Sequence, residues 1–101
     1  MGDKLQFGKT YKAYRQDGDK IVEYECELAY ISHYRAPKSG YTQHGVQFYL
    51  YQEGFVVGLA MLEGLNSRPT SLPTGYLIAN FGHGKCGIVT FDKNLLGGDK
   101  E

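Results

Sequence analysis

The sequence predicts a small all-β domain built as three consecutive hairpins, folded into a six-stranded sandwich or a partly open barrel. Three observations carry that expectation. Runs of alternating apolar and polar residues recur along the chain, with turn-forming residues between successive runs. Nine Tyr and five Phe with no Trp make a heavy aromatic load, which suits half-buried strand positions. Fourteen Gly against three Pro supply many tight turns. At 101 residues there is room for one core and not two, so residues 1–101 read as a single mainly-β domain. Residues 1–4 and 95–101 show no periodicity and are expected to fray.

The first hairpin joins residues 7–15 to 20–31. With Asp17 and Gly18 as a two-residue type I′ loop, Ala13 faces Val22, Tyr11 faces Tyr24, Lys9 faces Cys26 and Phe7 faces Leu28. Lys12 then lies opposite Glu23, and Tyr14 opposite Ile21, on the other side of the sheet. A one-residue slip would turn Lys and Glu side chains into the core. Glu23, Glu25 and Glu27 alternate on the outer side. One strand face cannot surround a hard cation, so these carboxylates read as a solvated surface.

The second hairpin joins 45–52 to 55–62 through Glu53 and Gly54, which pairs Leu50 with Val57, Phe48 with Leu59 and Val46 with Met61. Tyr49 falls opposite Gly58, where its ring would cover the glycine. The return run is apolar on both faces, so its second face needs cover, and a homodimer is one way to supply it. An alternative reading places a short buried helix within 55–66, because a short apolar run cannot be assigned by period alone; Val56, Val57 and Gly58 favour the strand. The third hairpin joins 76–81 to 86–91 through residues 82–85. It sets Phe81 against Cys86, Ile78 against Val89 and Tyr76 against Phe91.

Formal net charge is zero, and the balance holds locally, with six basic and six acidic residues in 1–36 and five of each in 37–101. Proteins that rely on phosphate contacts usually carry a basic excess, so nucleic-acid binding is a secondary expectation. No apolar run is long enough to span a membrane, the first residues lack a signal-peptide core, and Gln6 breaks the myristoylation pattern. The expectation is therefore a cytoplasmic protein with reduced thiols and no membrane partner. A Cys26–Cys86 disulfide would require export.

Two connections exceed the usual 2–6 residues, residues 32–44 and 63–75, and long loops are where function concentrates. The first collects His33, Tyr34, Arg35, Lys38, Tyr41 and His44 with no carboxylate. Cations interleaved with aromatic rings suit an anionic, ring-bearing ligand, with Arg or Lys on the anion and Tyr stacking. Arg68 in the second loop joins this set if the loops meet. His83 and Lys85, in the glycine-rich tip of the third hairpin, complete the candidate ligand-binding residues. That tip lacks the full phosphate-loop pattern and opens a strand, not a helix.

No catalytic or metal-ligand signature stands in the sequence, and no cofactor is implied. The best reading is a non-enzymatic module that binds a small-molecule ligand or a protein partner through the 32–44 loop and exposed tyrosines. The alternatives are a small-barrel nucleic-acid binder and a small-substrate enzyme using Cys86 or a histidine. Against the last, the expected pairing makes Cys86 a buried small hydrophobe.

Overall fold

The computed structural model describes residues 4–35 and 37–97. Six strands, β1 (Thr10–Asp17), β2 (Lys20–Arg35), β3 (Thr42–Gln52), β4 (Phe55–Leu65), β5 (Tyr76–Gly82) and β6 (Lys85–Thr90), run up and down in chain order. Each pairs antiparallel with the next and β6 returns to β1, closing a barrel, with a short 3-10 turn following at Lys93–Leu95. The barrel, not the sandwich, is the architecture. Residues 55–65 are strand throughout, which removes the helical alternative. The expected fraying falls partly on residues 1–3 and 98–101, outside the described residues. Of the rest, Lys4 bridges Ser71 and Leu95 belongs to the 3-10 turn.

The up-and-down order puts the three tight turns at one end of the barrel, the turn end. The β2–β3 and β4–β5 connections stand at the other, the arm end. Each turn corrects part of the expected pairing. In the first hairpin Asp17 pairs with Lys20, so Gly18 and Asp19 form the turn. Gly18 alone has positive φ, 63°, as a type II′ turn requires at its first central residue. The register moves by two residues, so the inward set survives: Tyr11 pairs with Cys26 and Ala13 with Tyr24. Phe7 and Lys9 precede the strand and are exposed. Tyr14 lies opposite Glu23, not Ile21, and Lys12 lies opposite Glu25 while its ammonium reaches diagonally to Glu23 at 2.7 Å.

The Glu53 and Gly54 turn forms as expected, with φ of 52° and 85°, the two positive values of a type I′ turn. Beyond Tyr51 and Val56, however, Val57 is bulged out. Leu50 then meets Gly58, Tyr49 meets Leu59, Phe48 meets Ala60 and Val46 meets Leu62. The one-residue shift exchanges the faces of β4: Ala60 enters the core in place of Leu59 and Met61. Gly58 explains why the chain passes so close there. A Cβ on it would lie 2.6 Å from the Asn80 carbonyl oxygen and 2.8 Å from the Phe81 ring.

Phe81 is likewise bulged in the third hairpin, whose turn is His83 and Gly84 alone. Asn80 pairs with Cys86, Ile78 with Ile88 and Tyr76 with Thr90, overturning the expected Phe81–Cys86, Ile78–Val89 and Tyr76–Phe91 pairs. Leu77 and Val89 therefore point inward, Ile78 and Ile88 outward. Cys86 is exposed, contrary to its expected burial, while Cys26 is buried; both thiols are free.

The interior is filled by its own side chains. Cys26, Phe48, Leu50, Leu77 and Val89 are fully buried, and burying each of the larger ones stabilises the fold by about 1.5–3 kcal/mol. At the arm end the rings of Tyr11, Phe48 and Phe91 meet edge to face, and the Tyr11 hydroxyl donates to the Lys4 carbonyl at 2.7 Å. Towards the turn end Phe81 packs on Tyr24, whose hydroxyl accepts from the Arg15 guanidinium at 2.9 Å. Closure is uneven. β2 and β3 share a long ladder, whereas β1 and β6 are joined only at Tyr14 and Thr90.

Candidate functional site

Because the barrel is packed with its own side chains, the surfaces open to other molecules lie on its outside. The most distinctive exterior element is the far part of the β2–β3 hairpin. β1 accompanies β2 only as far as Glu27, and β4 accompanies β3 only from His44 onward. Past those points β2 and β3 continue together to the pair Arg35 and Thr42, forming a two-stranded arm beyond the barrel wall. Residues 32–44, expected as a loop, are thus mostly ladder, with only residues 36–41 in the connection.

A bulge at Ala29 sets the arm's orientation. Simple alternation from Leu28 would turn Tyr30 inward; the bulge instead sends Ile31 against the core and leaves Tyr30 exposed. Alternation from Ile31 then divides the candidate residues between two faces. His33, Arg35 and His44 continue the inward face, where the His33 and His44 rings lie 6.2 Å apart as a cross-strand pair. Tyr30 and Tyr34 lie on the opposite face, with the Tyr34 hydroxyl donating to Gln43 Oε1 at 2.8 Å. Lys38 and Tyr41 stand in the connection, where Tyr41 is 74% exposed. No carboxylate occurs between Leu28 and Gln52. His44 Nδ1 is buried without a hydrogen-bond partner, a weak point at the base of the arm.

The predicted set does not converge as a whole. Arg68 follows β4, whose last residue Leu65 pairs with His44, so it belongs to the arm end. His83 and Lys85 lie in and beside the β5–β6 turn, at the opposite end of the barrel. His33, His44 and His83 therefore form no common site. Among the described residues no three His, Cys, Asp or Glu side chains are grouped to hold a metal.

Sequence reasoning missed two features. Tyr30 carried no signal, since its exposure depends on the Ala29 bulge. The second is a groove of about 600 Å³ at the turn end, where β2 pairs with β3 only from Glu25 and Tyr51 onward. The first residues of β2 and the Glu53 turn thereby separate. Glu23, Glu25 and Glu53 rim the groove around Tyr51, Phe55 and Val57. The Tyr51 hydroxyl donates to Glu27 at 3.2 Å; shielding from solvent and this carboxylate both raise the phenol's pKa. The Lys12 ammonium is likewise held protonated by its hydrogen bond to Glu23.

A third surface is a groove of about 520 Å³ along the β1–β6 seam, lined by Arg15, Gln16, Cys86 and Ile88 among others. Cys86 is exposed in this groove, with its thiol free. No helix is long and apolar enough to cross a membrane, among the described residues. Compared with protein-family models, curated proteins and solved structures, the chain matches none.

Proposed function

We propose that this protein is a non-enzymatic binding module that engages an acidic surface of a protein partner through the β2–β3 arm. The observation that carries this reading is the arm itself: a short two-stranded end standing clear of the barrel, with Tyr34 on one face and Arg35 on the other, Lys38 and Tyr41 in its connection, the histidine pair at its base, and no carboxylate. A convex ribbon with chemistry on both faces suits insertion into a partner's groove. It does not suit enclosure of a small molecule, whose sites are concave. Tyrosine supplies contact area at low entropic cost, and arginine and tyrosine are enriched at protein interfaces.

Magnitude decides against nucleic acid as the primary partner. Arg35 and Lys38 are the arm's permanent cations, with Arg68 at the same end. Neutralising about two or three phosphates gives a log–log salt slope of only about −2 to −3, the mark of weak binding.

Titration of a fluorescent acidic peptide containing aromatic residues, beside a single-stranded oligonucleotide of equal charge, tests the proposal. Saturable peptide binding that is lost in Arg35→Glu/Lys38→Glu supports it. Peptide binding unchanged by that reversal, or no binding at low salt, overturns it. Tighter oligonucleotide than peptide binding, with a steep salt slope, transfers the function to nucleic acid.

A further inference from the structure

We infer that the acidic groove engaged by the arm is that of another copy of this chain, so that the molecule associates head to tail. This rests on the proposed role of the arm and names its partner. The two ends of the barrel carry complementary leftovers. Among the described residues Glu23 is the only carboxylate in an ion pair, with Lys12, while Glu25 and Glu53 in the turn-end groove have none. Arg35 and Lys38 on the arm are equally without a carboxylate.

Shape and polarity match as well as charge. The groove is concave, about 600 Å³, with Tyr51, Phe55 and Val57 in its lining and Phe55 75% exposed. The arm is convex and carries Tyr34 and Tyr41 beside its cations. Acid meets base and aromatic side chains are available on both partners, the pattern that steers and orients protein association. The two surfaces lie at opposite ends of a molecule 45 Å long, so one copy cannot satisfy itself. A contact between different surfaces of identical chains is heterologous. Unless the rotation closes a ring, it propagates into open chains and does not stop at a dimer.

The test is sedimentation velocity at low salt over about 10 µM to 1 mM, a range suited to a weak interface. It uses the wild-type chain, the arm variant Arg35→Glu/Lys38→Glu and the groove variant Glu25→Lys/Glu53→Lys. The wild type is expected to grow past dimer with concentration and to dissociate in 0.5 M salt. Each variant is expected to be monomeric, its association weakened about a hundredfold by like-charge contact. An equimolar mixture of the two variants restores both contacts, the native arm of the groove variant in the native groove of the arm variant and the acidic arm of the latter in the basic groove of the former, and is expected to grow past dimer by alternation. That recovery also shows that both variants are folded.

A wild type that stays monomeric throughout overturns the inference. So does a closed dimer unaffected by either variant, which would place association on another face such as Met61, Ile78 and Ile88. If the wild type is monomeric yet the acidic peptide still binds through Arg35 and Lys38, the self-association falls and the role of the arm stands. If neither occurs, both fall.

Discussion

The ladder between β2 and β3 has two halves that share a backbone arrangement and little else. On the barrel side of the Ala29 bulge it buries Cys26, Leu28, Phe48 and Leu50. On the far side it exposes Tyr30, Tyr34 and Arg35. The difference lies in the flanking strands: β1 leaves β2 at Glu27 and β4 leaves β3 at His44, so the pairs Tyr34–Gln43 and Arg35–Thr42 have no strand on either side. Inter-strand hydrogen bonds alone do not make a core, and an isolated two-stranded ribbon is marginal in water. Stability therefore resides in the barrel half of the hairpin and the proposed recognition in its free end, so substitutions should separate the two.

The largest effect is expected from Phe48→Ala, which empties the centre of the barrel half and should cost about 3–5 kcal/mol in urea denaturation. A loss below about 1 kcal/mol would mean that the core is not organised around this ring. Next is Gly58→Ala. Its new Cβ would press on the Asn80 carbonyl, and overpacking of this kind costs about 1–3 kcal/mol, readable as a lowered thermal midpoint.

Cys26 gives a pH signature of the same half. Burial pushes its thiol up to about 12 from 9.0. Below pH 9 the thiol is protonated in both folded and unfolded chains and adds no slope. Between 9 and 12 the unfolded chain releases the proton and the folded one keeps it, so stability falls by about 1.4 kcal/mol per pH unit. Cys26→Ala should remove that component of the decline, and in the native wild type only Cys86 should react with an alkylating reagent. The smallest stability effect belongs to the arm. Arg35→Glu/Lys38→Glu should stay within about 0.5 kcal/mol of wild type while abolishing partner binding. A large stability loss there would erase the distinction between the halves.

The strands and their turns were legible in the sequence, because turn chemistry and alternation are local. Glu53 and Gly54 turned where expected, and Gly18 lay in the first turn although one position from its expected place. What failed was the pairing: the one-position displacement of the first turn moved its register by two residues, and the other two hairpins slipped at bulges. Val57 and Phe81 each add a residue that alternation cannot foresee, since their cause is long-range: the close approach of β4 to β5 at Gly58. The same blindness hid the burial of Ala60 and the exposure of Cys86. For the candidate site, composition found His33, Tyr34, Arg35, Lys38, Tyr41 and His44 together. It could not divide them between faces or separate His83 and Lys85, because those follow from the strand order.

The single pair that closes the barrel, Tyr14 with Thr90, has a kinetic consequence. Hairpins form from neighbours in sequence, but this seam joins the first strand to the last and must wait until the other ladders are in place. Once formed it is also the shortest ladder to undo. The fold behaves as a curled sheet fastened by one latch, and amide exchange should reveal β1 and β6 parting in an opening of lower free energy than global unfolding. The long β2–β3 ladder should hold through that excursion, keeping the arm presented while the wall behind it breathes.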